Sequence, residues 1–126
     1  MWTTPLTDDF CVDVMYRTTE WLLRHGHASV VILDGCTYTR ANQIATLRQM
    51  AADLGQPLRV IECTCDDQLA LARIADDRNH PAGNRDAALY RDLKTAAHPI
   101  TGPKLVVDTG RPIAACVADC LAYACS

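Results

Sequence analysis

Four side chains in this sequence have the charge and the placement for phosphate or metal chemistry. Asp34 closes the apolar run Ser29–Asp34 (SVVILD) and is followed by Gly35. A carboxylate at the end of a buried strand can hold a hydrated Mg2+ beside phosphate groups, although an Asp there can equally be a loop or cap residue. Arg73 and Arg78 flank the expected end of a helix within ALARIADDRNHPAGNRD. Guanidinium groups there can close over a transferring phosphoryl group and offset its charge. Five residues along an unbroken helix point about 140° apart, so the two converge only if the helix ends between them. The alternative is a solvated face, with Arg73 paired to Asp76 or Asp77 for a few tenths of a kcal/mol. Arg40, six residues beyond Asp34, opens the next helix. It could reach a bound anion or serve only solubility.

The elements that must position these groups follow from hydrophobic pattern and turn residues. Three β-branched runs, Ser29–Asp34, Leu58–Thr64 (LRVIECT) and Lys104–Asp108 (KLVVD), read as strands. Unbroken apolar runs suit strands buried on both faces, hence a parallel sheet covered by helices. Ligands of such sheets bind beyond the carboxyl ends of the strands, where Asp34, Thr64 and Asp108 stand. Helices are expected from Asp8 to about His25, capped by Thr7 and stopped by Gly26, and from about Arg40 to Leu54, capped by Thr39 and stopped by Gly55. Further helices are expected from about Asp67, over Arg85–Ala97, and from near Pro112 to the C-terminus. Asn79–Asn84 and His98–Pro103 break the chain by their Pro, Gly and Asn content. The order α-β-α-β-α-α-β-α is that of an open α/β domain.

At 126 residues and 49% hydrophobic, the chain is expected to form one domain over residues 1–126. A net charge of −3 and a pI near 5.7 give no long-range pull toward nucleic acid or an anionic membrane. No apolar stretch approaches the roughly 20 residues of a membrane span, and the polar, acidic N-terminus is not a leader, so a cytoplasmic location is expected. Of the seven cysteines, Cys63 with Cys65 and Cys116 with Cys120 each share a face of their element. Neither pair has the spacing of a zinc site, and small buried thiols acting as apolar filler are the plainer reading, beside a metal or redox role. None of the four histidines has a nucleophile at a hydrolase spacing.

Taken together, Tyr16…Trp21-Leu22-Leu23…Gly26…Val30-Val31-Ile32-Leu33-Asp34 resembles part of the zeta-toxin-like and polynucleotide-kinase-like P-loop kinases, of the "predicted kinase", AAA family ATPase type. The helix with Arg40, the strand LRVIECT and the helix with Arg73 and Arg78 continue the likeness. His80-Pro81-Ala82-Gly83-Asn84-Arg85-Asp86 with Leu89-Tyr90, Pro99-Ile100 and Val106-Val107-Asp108-Thr109 complete it. The resemblance spans nearly the whole chain. It implies a P-loop NTPase-like three-layer α/β/α fold with a mostly parallel sheet. It also implies ATP and Mg2+ as cofactors and phosphoryl transfer to a small molecule or a nucleic-acid end. Asp34 would then be the Walker-B-like carboxylate, holding Mg2+ through water. Arg73 and Arg78 would be lid arginines, with Arg40 and Arg85 as phosphate or substrate contacts.

The sequence departs from that family in having no GxxxxGK[ST]. No glycine precedes Gly26, and the two lysines, Lys94 and Lys104, follow Leu93 and Pro103. The backbone cradle and lysine that hold the phosphates are therefore lacking. The expectation is a truncated kinase-like domain with three recognisable strands, inactive or nearly so as written. With the family's P-loop strand gone, Ser29–Asp34 and Leu58–Thr64 are expected to pair directly, because unpaired buried backbone groups cost about 1–3 kcal/mol each. The alternative is a non-enzymatic interaction module that pairs with a partner, or with a second copy, through its sheet edge.

Overall fold

A computed structural model describes residues 5–34, 38, 40–77, 81, 83 and 85–126, with side chains from residue 9 onward. The described elements are α1 (Pro5–Arg24), α2 (Ala41–Asp53), β1 (Ile61–Thr64), α3 (Asp67–Asp76), α4 (Ala87–Ala96), β2 (Leu105–Asp108) and α5 (Ile113–Ala124). They fall into two compact units, Met1–Leu58 and Arg59–Ser126.

In the N-terminal unit, α1 begins at Pro5, a residue suited to the first helical position because its missing N–H is one the helix cannot use. Thr7 and Asp8, expected at the boundary, lie inside its first turn instead. Val12, Tyr16 and Thr19 recur at helical spacing and are buried, with Val12 and Tyr16 clustering with Leu47 of α2. Tyr16 donates its hydroxyl to the Gln43 carbonyl at 2.7 Å, a buried bond from α1 to the first turn of α2. Met15, Leu33, Tyr38, Met50 and Leu58 pack around this cluster. Both helices end on a glycine in the left-handed region, Gly26 at φ 67° and Gly55 at φ 62°. In each case the glycine N–H and the next N–H turn back onto the last turn: Gly26 to Leu23 and His27 to Leu22, then Gly55 to Ala52 and Gln56 to Ala51.

Residues 29–34 correct the expected first strand. They join no ladder among the described residues, so the sheet has two strands there and not three. Direct pairing of this run with Leu58–Thr64 is not formed. Instead the run alternates, with Val31 and Leu33 partly buried and Val30 and Ile32 turned out, Ile32 being 85% exposed. A period of two is that of an extended segment with a single covered face. Its apolar composition reads as burial on both faces, and only one is covered.

The C-terminal unit is built on β1 and β2, paired in parallel with Ile61 opposite Leu105 and Thr64 opposite Asp108. Parallel neighbours need a crossover connection, and α3 and α4 lie within it. Asp66 and Asp86 cap them, each accepting from a backbone N–H three residues on, Leu69 and Leu89, at 2.8 Å. Val107 of β2 is 2% exposed, and α5 packs along β2 with Cys116 buried. Arg59, just before β1, donates to the carbonyls of Tyr123 and Ser126, so a cation meets the C-terminal end of α5. The observed α/β order matches the expected one from α1 onward, except for the missing first strand. No helix among the described residues is long and apolar enough to cross a membrane.

Tyr16→Phe leaves the Gln43 carbonyl without its buried donor and is expected to cost about 1–2 kcal/mol. Val107→Ala opens a small cavity under β2 and is expected to cost about 1–3 kcal/mol. Ile113→Ala, at an 82% exposed position, should change stability by no more than about 0.5 kcal/mol. Urea unfolding of the three variants checks this ranking, and equal losses for Val107→Ala and Ile113→Ala would contradict it.

Candidate functional site

The carboxyl end of the β1–β2 pair gathers the polar groups of the C-terminal unit. Beyond the last paired residues, Thr109 donates its backbone N–H to the Thr64 carbonyl at 2.7 Å and its hydroxyl to the same oxygen at 3.0 Å. Arg73 reaches across from α3 and donates one guanidinium nitrogen to the Thr109 hydroxyl at 2.9 Å and the other to its carbonyl at 2.8 Å. The planar fork of arginine suits two acceptors on one residue. The turn that follows is closed from Asp108: its carboxylate accepts from the Gly110 N–H at 2.8 Å and its carbonyl from the Arg111 N–H at 3.3 Å. Cys116 also points its thiol at that carbonyl, at 3.3 Å.

A second cluster joins α3 to α4. Asp67, in the first turn of α3, accepts from the Tyr90 hydroxyl at 2.8 Å and from the Lys94 ammonium. Tyr90 and Lys94 are four residues apart and so share one face of α4. The Lys94 hydrogen bond, followed by that of Tyr90, holds the Asp67 carboxyl below its ordinary value. Asp67 in turn raises both Lys94 and Tyr90.

The residues singled out in the sequence are placed as follows. Asp34 and Arg40 belong to the N-terminal unit, Arg73 and Arg85 to the C-terminal one. Asp34 is exposed and makes no hydrogen bond or ion pair among the described residues. Arg40 precedes α2 and pairs with Asp9 at 2.6 Å, while its backbone N–H is capped by the Gln43 side chain at 3.3 Å. Arg73 holds Thr109, and neither Asp76 nor Asp77 is its partner. Asp77 is taken by Arg85 at 3.1 Å. The third helix does end between Arg73 and Arg78, at Asp76. Arg78 itself lies outside the described residues, as do Thr39 and the segment 78–80.

For Mg2+ the described residues supply a partial fit. Mg2+ is commonly held by one or two carboxylates plus substrate phosphates, and Asp34 supplies one exposed carboxylate. Lys94 is bonded to Asp67 and Lys104 to Glu62. Among the described residues no group of three or more His, Cys, Asp or Glu gathers to hold a metal ion. The described cysteines Cys11, Cys63, Cys65, Cys116, Cys120 and Cys125 are all thiols.

Sequence reading missed the Asp67–Tyr90–Lys94 cluster and the Thr109 bridge. The spacing of Tyr90 and Lys94 was a visible signal, but their partner lies more than twenty residues away. Thr109 was singled out only as the last residue of the Val106–Thr109 segment, with no role attached.

Replacing Arg73 by Lys removes the fork and is expected to cost about 0.5–1 kcal/mol in urea unfolding, a small loss because the group is exposed. The Asp67 contact gives a signed pH dependence. Its carboxyl is lowered from 3.8, so its contribution is present above pH 3.8 and is lost as pH falls through the lower folded value. Lys94 is raised from 10.5, so its contribution is present below pH 10.5 and is lost as pH rises through the higher folded value. Asp67→Asn should therefore flatten the acid limb of a melting-temperature profile below pH 3.8; an unchanged limb would remove the cluster from the account.

In comparison with known proteins, no family model, no curated protein and no solved structure matches the chain, so a functional reading rests on its own residues.

Proposed function

We propose that this α/β chain acts as an interaction module that pairs with a second copy of itself. The observation that carries the reading is the outward apolar face of α5. Ile113, Val117 and Leu121 stand at successive four-residue steps and are all exposed. Such a row forms one stripe along a helix. Exposed Ile61 and Val106 add apolar surface on β1 and β2 of the same unit, and both strands of a two-stranded sheet are edges. An apolar stripe with open strand edges is the kind of surface that proteins cover by association.

The kinase reading keeps one observation in its favour. Arg73 sits with Thr109 at the carboxyl end of a parallel strand pair, where α/β proteins bind their ligands. An ATP-binding protein of the P-loop kinase class would use that end of its sheet.

Light scattering across a dilution series separates the two. Self-association is expected, and Val117→Glu should abolish it by placing a charge in the apolar stripe. A clean monomer that binds Mg·ATP calorimetrically, and loses that binding in Asp34→Ala, would overturn the interaction reading in favour of the kinase one.

A further inference from the structure

Trp21, His25 and His27 close the C-terminal end of α1 with three nearly parallel rings. The Trp21 centroid is 4.9 Å from that of His25 at an interplanar angle of 29°, and 4.9 Å from that of His27 at 14°. The two imidazoles are 6.5 Å apart at 19°. On opposite faces of the indole, two stacking gaps of about 3.5 Å would hold them at least about 7 Å apart. At 6.5 Å they lie side by side on one face. The backbone on either side of Gly26 brings both imidazoles to this end of α1, because Gly26 takes φ 67° and the N–H groups of Gly26 and His27 both bond back into α1.

The tautomer of His25 is set as well. Its Nδ1 lies 2.8 Å from the Trp21 carbonyl oxygen. A carbonyl only accepts, so Nδ1 carries the proton and the neutral ring keeps its lone pair on Nε2. Histidines that ligate metals are oriented in this way, with the second nitrogen donating to a backbone carbonyl. A metal–nitrogen bond of about 2.1 Å, with about 1.1 Å from nitrogen to ring centre, places two imidazoles on one ion with centroids roughly 5 to 6.4 Å apart. The observed 6.5 Å needs only a small rotation of two exposed side chains to enter that range. The partial negative charge at the end of a helix also favours a cation there.

We infer that His25 and His27 form a two-histidine site for a divalent transition-metal ion of the imidazole-preferring class, Zn2+, Ni2+ or Cu2+, floored by Trp21. Its remaining coordination positions belong to water. The site is independent of the interaction reading above, since it uses none of the same residues.

The test is a Zn2+ titration of the full chain at neutral pH, followed by NMR of the histidine ring protons. The cysteines also take up zinc, so the ring signals are the readout and bulk metal uptake is not. The His25 and His27 signals are expected to move together with one midpoint, while the His98 signal stays. His25→Ala should raise the midpoint for His27 at least about tenfold, because the second ligand no longer binds within the same site. His27→Ala should do the same for His25; both positions are exposed, so neither variant threatens the fold. An unchanged His27 midpoint in His25→Ala, or ring signals that stay fixed while the thiols saturate, would overturn the site.

Discussion

Two parallel strands of four residues make few bonds between them, so their hold depends on what closes their ends. At the carboxyl end that closure is Thr109. Its N–H and hydroxyl both serve the last carbonyl of β1, and its own carbonyl and hydroxyl accept the fork of Arg73. One residue thereby links the end of β1, the end of β2 and the middle of α3. The Asp108 turn and the Cys116 thiol extend the network to the start of α5. Val107, buried beneath, gives the pair its one fully enclosed large side chain among the described residues. The polar end and the apolar floor support each other, since backbone groups left unpaired next to buried surface would cost about 1–3 kcal/mol each.

The N-terminal unit relies on a different device. Val12 and Tyr16 of α1 meet Leu47 of α2, and the Tyr16–Gln43 bond lets a phenol be buried without leaving its hydroxyl unsatisfied. The opposite side of α1 also carries apolar residues, Phe10, Val14 and Trp21, all exposed. Trp21 is half covered by the imidazoles that the glycine-capped turn brings over it. A helix with apolar residues on both sides and one side covered has the same character as residues 29–34, where Leu33 is packed and Ile32 is not.

This imbalance between apolar content and covered surface shapes the functional reading. In a strand-end active site the charged groups would be held apart for a ligand. Here Arg40, Arg73 and Arg85 each have an internal partner, and both lysines are paired. Apolar surface also stays open, on the α5 stripe and the outer face of residues 29–34.

The amino-acid sequence by itself determined the local elements. Gly26 and Gly55 stop their helices because only glycine takes the left-handed region without cost, Asp66 and Asp86 cap theirs, and the runs at 61–64 and 105–108 form strands. These are short-range effects, decided by residues within a turn of one another. Tertiary structure decided the rest. Ser29–Asp34 has the composition of a strand, but a strand exists only when a neighbour supplies its hydrogen bonds, and no described residue does so. Arg73 looked free to meet a phosphate or a nearby Asp, and the fold gave it Thr109, thirty-six residues away. Partners at that distance are chosen by how the chain packs, which the spacing of residues along it does not encode.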